Sequence, residues 1–152
     1  MNRTWPMVLG ILAAAVVLGA VREFLLINLN YCIDHVANDR TVNYAHSLFR
    51  AQVDGLSLPG LLALKWMFSL FFILSTLAFA ILLARTLYGD HRYTRWLVGG
   101  FAGVALLALL LHFGASWSAA LGLVSVKLLH VLQYPVILFF IWASTWLRPV
   151  AK

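Results

Sequence analysis

Four apolar blocks, at about residues 5–21, 58–84, 96–113 and 121–147, constrain this chain more than any motif in it. Each comes close to or exceeds the roughly 20 residues that a hydrocarbon crossing requires. Hydrocarbon offers no water to an unpaired N–H or C=O, so each block has to be helical, and four segments are too few to close a barrel. The composition agrees: 63% of the 152 residues are hydrophobic, 11% are charged and the mean hydropathy is +0.92. A soluble domain is about half apolar and about a quarter charged. The expected fold is therefore all-α, a polytopic bundle of four transmembrane helices forming a single membrane domain over residues 1–152, with no room for a separate soluble domain.

The cations orient this bundle. Arg3 precedes the first block, Arg85, Arg92 and Arg95 bracket the second connection, and Arg148 and Lys152 follow the fourth block, whereas the third connection, "GASWSAA", carries no charge. By the positive-inside rule both termini and the second connection face the cytoplasm, and the first and third connections face outward. The first connection, about residues 22–57, sets three arginines (Arg22, Arg40, Arg50) against four acids (Glu23, Asp34, Asp39, Asp54), a net charge of −1. The formal charge of +6 and pI near 10.0 thus reflect cations placed around apolar segments, and no nucleic-acid partner is expected. The N-terminal stretch also has the basic start, apolar core and small-residue end of a secretory signal peptide. Leu18 stands where cutting after Ala20 would want a small residue, so an uncleaved first helix is expected. Trp5, Trp96, Trp117 and Trp146 at the block ends suit headgroup-level aromatic belts. Gly99 and Gly103, one turn apart, would permit close helix contact.

The most polar run, "NYCIDHVANDRTVNYAHSLFR" at 30–50, falls in the first outer connection. From 22 to 38, steps of 100° place Leu25, Leu26, Leu29, Cys32, Ile33 and Val36 on one face, with Glu23, Asn30, Tyr31, Asp34, His35 and Asn38 opposite. This predicts an amphipathic helix, and the absence of Gly or Pro between Val21 and Asn38 predicts that it continues the first span. "NDRT" and "DGLSLPG" read as turns, the second leading to Pro59 in the first turn of the next helix. Cys32 is the only cysteine, which rules out an intramolecular disulfide and CxxC chemistry.

Ionisable residues inside spans ordinarily face the bundle or a wet cavity. Lys65 lies about two turns into the second block and Lys127 about two turns into the fourth. Around the fourth helix Lys127, His130 and Tyr134 share a side, with Gln133 further along it; around the second, Lys65, Ser69 and Thr76 do the same. Pro135 would kink the fourth helix and free a carbonyl near Val131. These residues suggest an outward-opening polar pocket walled by Lys65, Lys127, His130, Gln133 and Tyr134, with Arg22 and Glu23 joining it, and Asp34, His35, Asp39, Arg40 and His46 as its rim or as a docking surface. Internal ion pairing of the lysines with the acids, and snorkelling of the lysines toward the interface, account for the same pattern.

Sharper chemistry finds little support. Depth argues against haem held by two histidines, because His112 and His130 differ in height by about 10 Å and His91 is on the other side, so only a pairing with His35 or His46 would rescue it. A metal site from Asp34, His35, Asp39 and His46 matches no ligand spacing, and adjacent Asp34 and His35 point about 100° apart on a helix, too far to form an acid–base pair. The two halves show no repeat of the kind gated transporters use, and a channel would require a homo-oligomer. Neither the acidic motifs of small multidrug exporters nor the pattern of glutathione-dependent membrane enzymes is present. No cofactor and no metal is expected.

At "REFLLINLNY", "NYAHSLF" and "LKW" the chain resembles a group of uncharacterised small four-helix bacterial inner-membrane proteins. The resemblance runs over most of the chain and implies an inner-membrane location; no functional residue carries over with it. The expected role is that of an accessory or assembly subunit docking a membrane or periplasmic protein through 22–57. The alternative is a small membrane enzyme or carrier that holds an anionic or lipid-like molecule.

Overall fold

The fold is known from a computed structural model that describes residues 4–89 and 92–147. Helices α1 (Trp5–Ala37), α2 (Ser47–Val53), α3 (Leu58–Tyr88), α4 (Arg92–Phe113), α5 (Ala119–Gln133) and α6 (Val136–Ala143) follow in order, with 3-10 turns at Gly114–Ser116 and Ser144–Leu147. Among the described residues there is no strand. The all-helical expectation is met. Arg3, His91, Arg148 and Lys152, on which parts of the orientation and haem arguments rest, lie outside the described residues.

Three helices are long and apolar enough to cross a membrane: α1, α3, and α4 with its following turn. The first does not stop near residue 21. It continues unbroken for 33 residues, about 50 Å at 1.5 Å per residue, because no Gly or Pro falls between Val21 and the end of the helix and the amphipathic stretch keeps the helical period. Similarly α3 runs on to Tyr88 and α4 begins at Arg92, each about one turn beyond its apolar block.

The fourth block departs from expectation in being broken rather than kinked. Helices α5 and α6 meet at 58°. Pro135 has no N–H to donate and its ring crowds the preceding residue out of the helical region; Tyr134 accordingly takes an extended backbone, φ −91°, ψ 144°. A helix end orphans its last carbonyls. The Tyr134 N–H donates to the His130 carbonyl at 3.1 Å, and the Thr76 hydroxyl donates to the Gln133 carbonyl at 3.3 Å. Both Thr76 and Gln133 are buried, so one residue of the polar stripe read on the second block meets the backbone of the fourth block at this point.

The chain divides into two compact units: the residues up to Val17 with those from Ile73 onward, and Leu18–Phe72. The core of the first is Val8, Ile11, Leu12 and Ala15 from α1, Ala80 and Leu83 from α3, and Leu138 from α6. In the same unit α4 and α5 pack on one another, joined where the Ser125 hydroxyl donates to the Ala108 carbonyl at 2.7 Å. The Gly99–Gly103 pair does not mark such a seam: a Cβ at Gly99, Gly100 or Gly103 would meet nothing within 4 Å. The core of the second unit is Leu29 and Cys32 from α1, Phe49 and Val53 from α2, and Leu61 from α3.

Replacing Thr76 by Val keeps the shape and removes the hydroxyl's hydrogen bond to the buried Gln133 carbonyl, a cost of about 1 kcal/mol. We expect Thr76→Val to lower the denaturation midpoint of the purified protein in detergent, and Thr76→Ser to retain it; equal midpoints for Val and wild type would remove this hydrogen bond from the account.

Candidate functional site

The polar run at 30–50 folds back on α1. Helix α1 ends as its terminal carbonyls find donors beyond it: the Asn38 N–H donates to the Asp34 carbonyl at 3.1 Å and the Arg40 N–H to the His35 carbonyl at 3.0 Å. Asp39 supplies the left-handed residue that such an end requires, φ 47°. The Asp34 carboxylate accepts from Asn38 Nδ2 at 2.6 Å and pairs with Arg40 Nε at 3.3 Å. Asp34, Asp39 and Arg40, expected at a rim, are therefore engaged in terminating a helix.

The returning chain is tied to α1 by Asn28. This side chain is buried; its Nδ2 donates to the Phe24 carbonyl at 2.7 Å and its Oδ1 accepts the backbone N–H of His46. Asn43 adds a second tie, its Nδ2 donating to Cys32 Sγ at 3.8 Å while its Oδ1 accepts the Ala45 N–H at 2.9 Å. His46 then caps α2, its Nδ1 accepting from the Leu48 N–H at 3.3 Å, with its ring edge-on to Phe24 at 5.8 Å. Phe49 and Val53, one turn apart, bury α2 against Leu29, Cys32 and Leu61. Gly55, at φ +80°, turns the chain into α3, whose first turn contains Pro59. The sequence reading missed α2, although its signal is present in His46 as a capping side chain followed by Phe49 and Val53 at helical spacing.

Between the end of α1, the 38–46 return, α2 and the start of α3 lies a cleft of about 330 Å³, at the lower end of the roughly 300–1,000 Å³ of small-molecule sites. Its polar lining is His35, Thr41, Asn43, Arg50 and Asp54; its apolar wall is Cys32, Val36, Val53, Leu56 and Leu61. The Nδ1 of His35 is sealed from solvent and has no hydrogen-bond partner among the described residues, a demand worth about 1–3 kcal/mol. Arg50 and Asp54 carry opposite charges on one cleft, yet among the described residues neither forms an ion pair. Arg50, Asp54, Thr41 and Asn43 were not among the residues expected at a site.

The other expected residues fall on both units, each described by itself. In the second unit Arg22 is 2% exposed, with its Nη1 2.9 Å from Glu23 Oε2; Lys65 is half-buried on α3. In the first, Lys127 and His130 are exposed and Gln133 is buried, with Tyr134 between these extremes and its ring edge-on to that of His130 at 6.5 Å. Among the described residues no three His, Cys, Asp or Glu side chains gather as a metal ion would need. Asp34 and His46, two of the four weighed for such a site, are occupied instead with Arg40 and with the start of α2. Comparison with protein families, with characterised proteins and with solved structures returns no match.

If Asn28 holds the returning segment, Asn28→Leu orphans the His46 N–H and should speed amide hydrogen exchange across 40–57 by at least about tenfold, the equivalent of roughly 1.4 kcal/mol of local stability. Exchange in α4 should stay unchanged. Uniform exchange rates before and after the substitution would mean that the apolar core alone fixes the segment.

Proposed function

We propose that this chain is a small integral protein of a bacterial inner membrane, a four-helix bundle with both termini cytoplasmic, acting as a noncatalytic accessory or assembly subunit. Its 22–57 segment docks a membrane or periplasmic protein. The membrane part of this reading is supported by α1, α3 and α4, each long and apolar enough to cross, with the bent pair α5 and α6 as the fourth crossing. A broken helix at membrane depth is tolerated where other protein groups satisfy the freed backbone, as Thr76 does for Gln133. Large apolar side chains exposed along α4, among them Trp96 (75%), Leu106 (58%), Leu110 (61%) and Phe113 (70%), form a surface suited to lipid and costly in water.

The observation that carries the docking part is an ordered segment that holds apolar side chains outward. Tyr44 and Leu48 are each 72% exposed and Val42 is 54% exposed, on a return fixed by Asn28 and by the burial of Phe49 and Val53. Tyr31 lies beside Tyr44, ring centroids 6.2 Å apart. Rigid aromatic and aliphatic anchors of this kind are what partner interfaces use, since little entropy is lost on burying them. The cleft favours the second reading, a small enzyme or carrier for an anionic or lipid-like molecule.

The test is affinity purification of the full chain from native membranes, wild type against Tyr44→Asp with Leu48→Asp. A partner recovered with the wild type should be lost with the double variant, while the variant keeps its helical circular dichroism and stays in membranes through an alkaline wash. Undiminished copurification would refute docking through this surface; release of the wild type by the wash would refute the membrane placement.

A further inference from the structure

We infer that the cleft at the end of α1 binds a zwitterionic group in which a phosphate and a primary ammonium stand a few bonds apart, as in phosphoethanolamine. The inference rests on the membrane reading above for the source of the ligand and on the cleft alone for its chemistry.

The charges define the ligand. Arg50 and Asp54 lie on and just after the short helix α2, line one cleft, and among the described residues pair neither with each other nor with any other charge. A ligand with only an anion would satisfy the guanidinium and leave the carboxylate facing like charge; a ligand with only a cation would do the reverse. A molecule carrying both meets both demands with charge-assisted hydrogen bonds, and the planar guanidinium fork suits phosphate oxygens. Thr41 adds a hydroxyl, and His35 adds an imidazole whose sealed Nδ1 lacks a partner.

Place and shape define the source. The cleft lies between the last turns of α1 and the first turn of α3, two helices long enough to cross a membrane, and on the membrane reading such ends lie at headgroup level. A volume of about 330 Å³ admits the head group and the glycerol end attached to it. Val36 and Leu56, both lining the cleft and 45% and 42% exposed, offer an apolar track for chains that continue outside it.

The full chain in mild detergent is titrated with dioleoylphosphatidylethanolamine and, separately, dioleoylphosphatidylglycerol, which has the phosphate without the ammonium, and the adducts are read by native mass spectrometry. The ethanolamine lipid should bind about tenfold more tightly, the equivalent of one charge-assisted contact. Arg50→Gln should weaken both lipids about tenfold, and Asp54→Asn should abolish the preference without weakening the glycerol lipid. Helical circular dichroism of each variant controls for folding. Equal binding of the two lipids by the wild type, or a preference that survives Asp54→Asn, overturns the proposal. Glycerophosphoethanolamine, added as competitor, separates the sources: displacement of the lipid upholds the cleft as a site for the soluble zwitterion as well, and a lipid that stays bound upholds the intact lipid alone. If an alkaline wash frees the wild type from membranes, lipid is removed as the source, and direct titration with glycerophosphoethanolamine decides: binding abolished by Asp54→Asn upholds the cleft, and absence of binding overturns it.

Discussion

A backbone N–H or C=O that leaves a helix must find another partner, and several departures from helix among the described residues are built around one. Long helices meet this requirement internally, which is why α1 and α3 run for 33 and 31 residues without a break. Where the chain does leave the helix, a side chain or a turn answers. Thr76 donates to the Gln133 carbonyl at the Pro135 break, Asp39 adopts the left-handed backbone that lets the Arg40 N–H reach the His35 carbonyl, and Asn28 accepts the His46 N–H of the returning strand of chain. Ser125 does the corresponding work between packed helices, donating to a carbonyl of Ala108 that is already within its helix. Small hydroxyl and amide side chains on otherwise apolar helices serve the backbone first.

This explains why some of the structure is legible in the sequence and some is not. The existence of the long apolar helices and the position of the break depend on local rules, apolar runs and the missing N–H of Pro135, and both are read correctly from residues in hand. The extent of the break is not, because it depends on Thr76, 57 residues away, being able to take up a carbonyl that a simple kink would have kept. The helix α2 is short enough that its two buried residues, Phe49 and Val53, give barely one period of signal. Gly99 and Gly103 have the spacing of a contact seam, but spacing cannot say whether another helix lies over that face, and among the described residues a Cβ at either would meet nothing within 4 Å.

The candidate site shows the same division. On a helical wheel His35 belongs to the polar face and reads as an exposed rim residue, yet its Nδ1 is sealed, because the chain returns over the end of α1 and turns a solvent-facing position into a wall. Asn28 falls on no notable face, and its importance appears only through a partner 18 residues on. The six-residue apolar face from Leu25 to Val36 is mostly as read: Leu26, Leu29 and Cys32 are buried, Leu25 and Ile33 partly so, and Val36 remains exposed at the mouth of the cleft.

Charge counting along this segment gave a net of −1, and the structure alters what that number means. Asp34 is held by Arg40 and Glu23 by Arg22, while Asp39 stands exposed at the turn that ends α1. What faces the cleft is the remaining couple, Arg50 and Asp54, whose net charge is zero and whose field is that of a dipole. A dipole falls off faster than a net charge and is screened within about a Debye length, roughly 8–10 Å at ordinary salt, so this cleft would not gather anions from a distance. It discriminates only at contact, among small molecules already concentrated beside it and by the arrangement of their charges rather than by their sum.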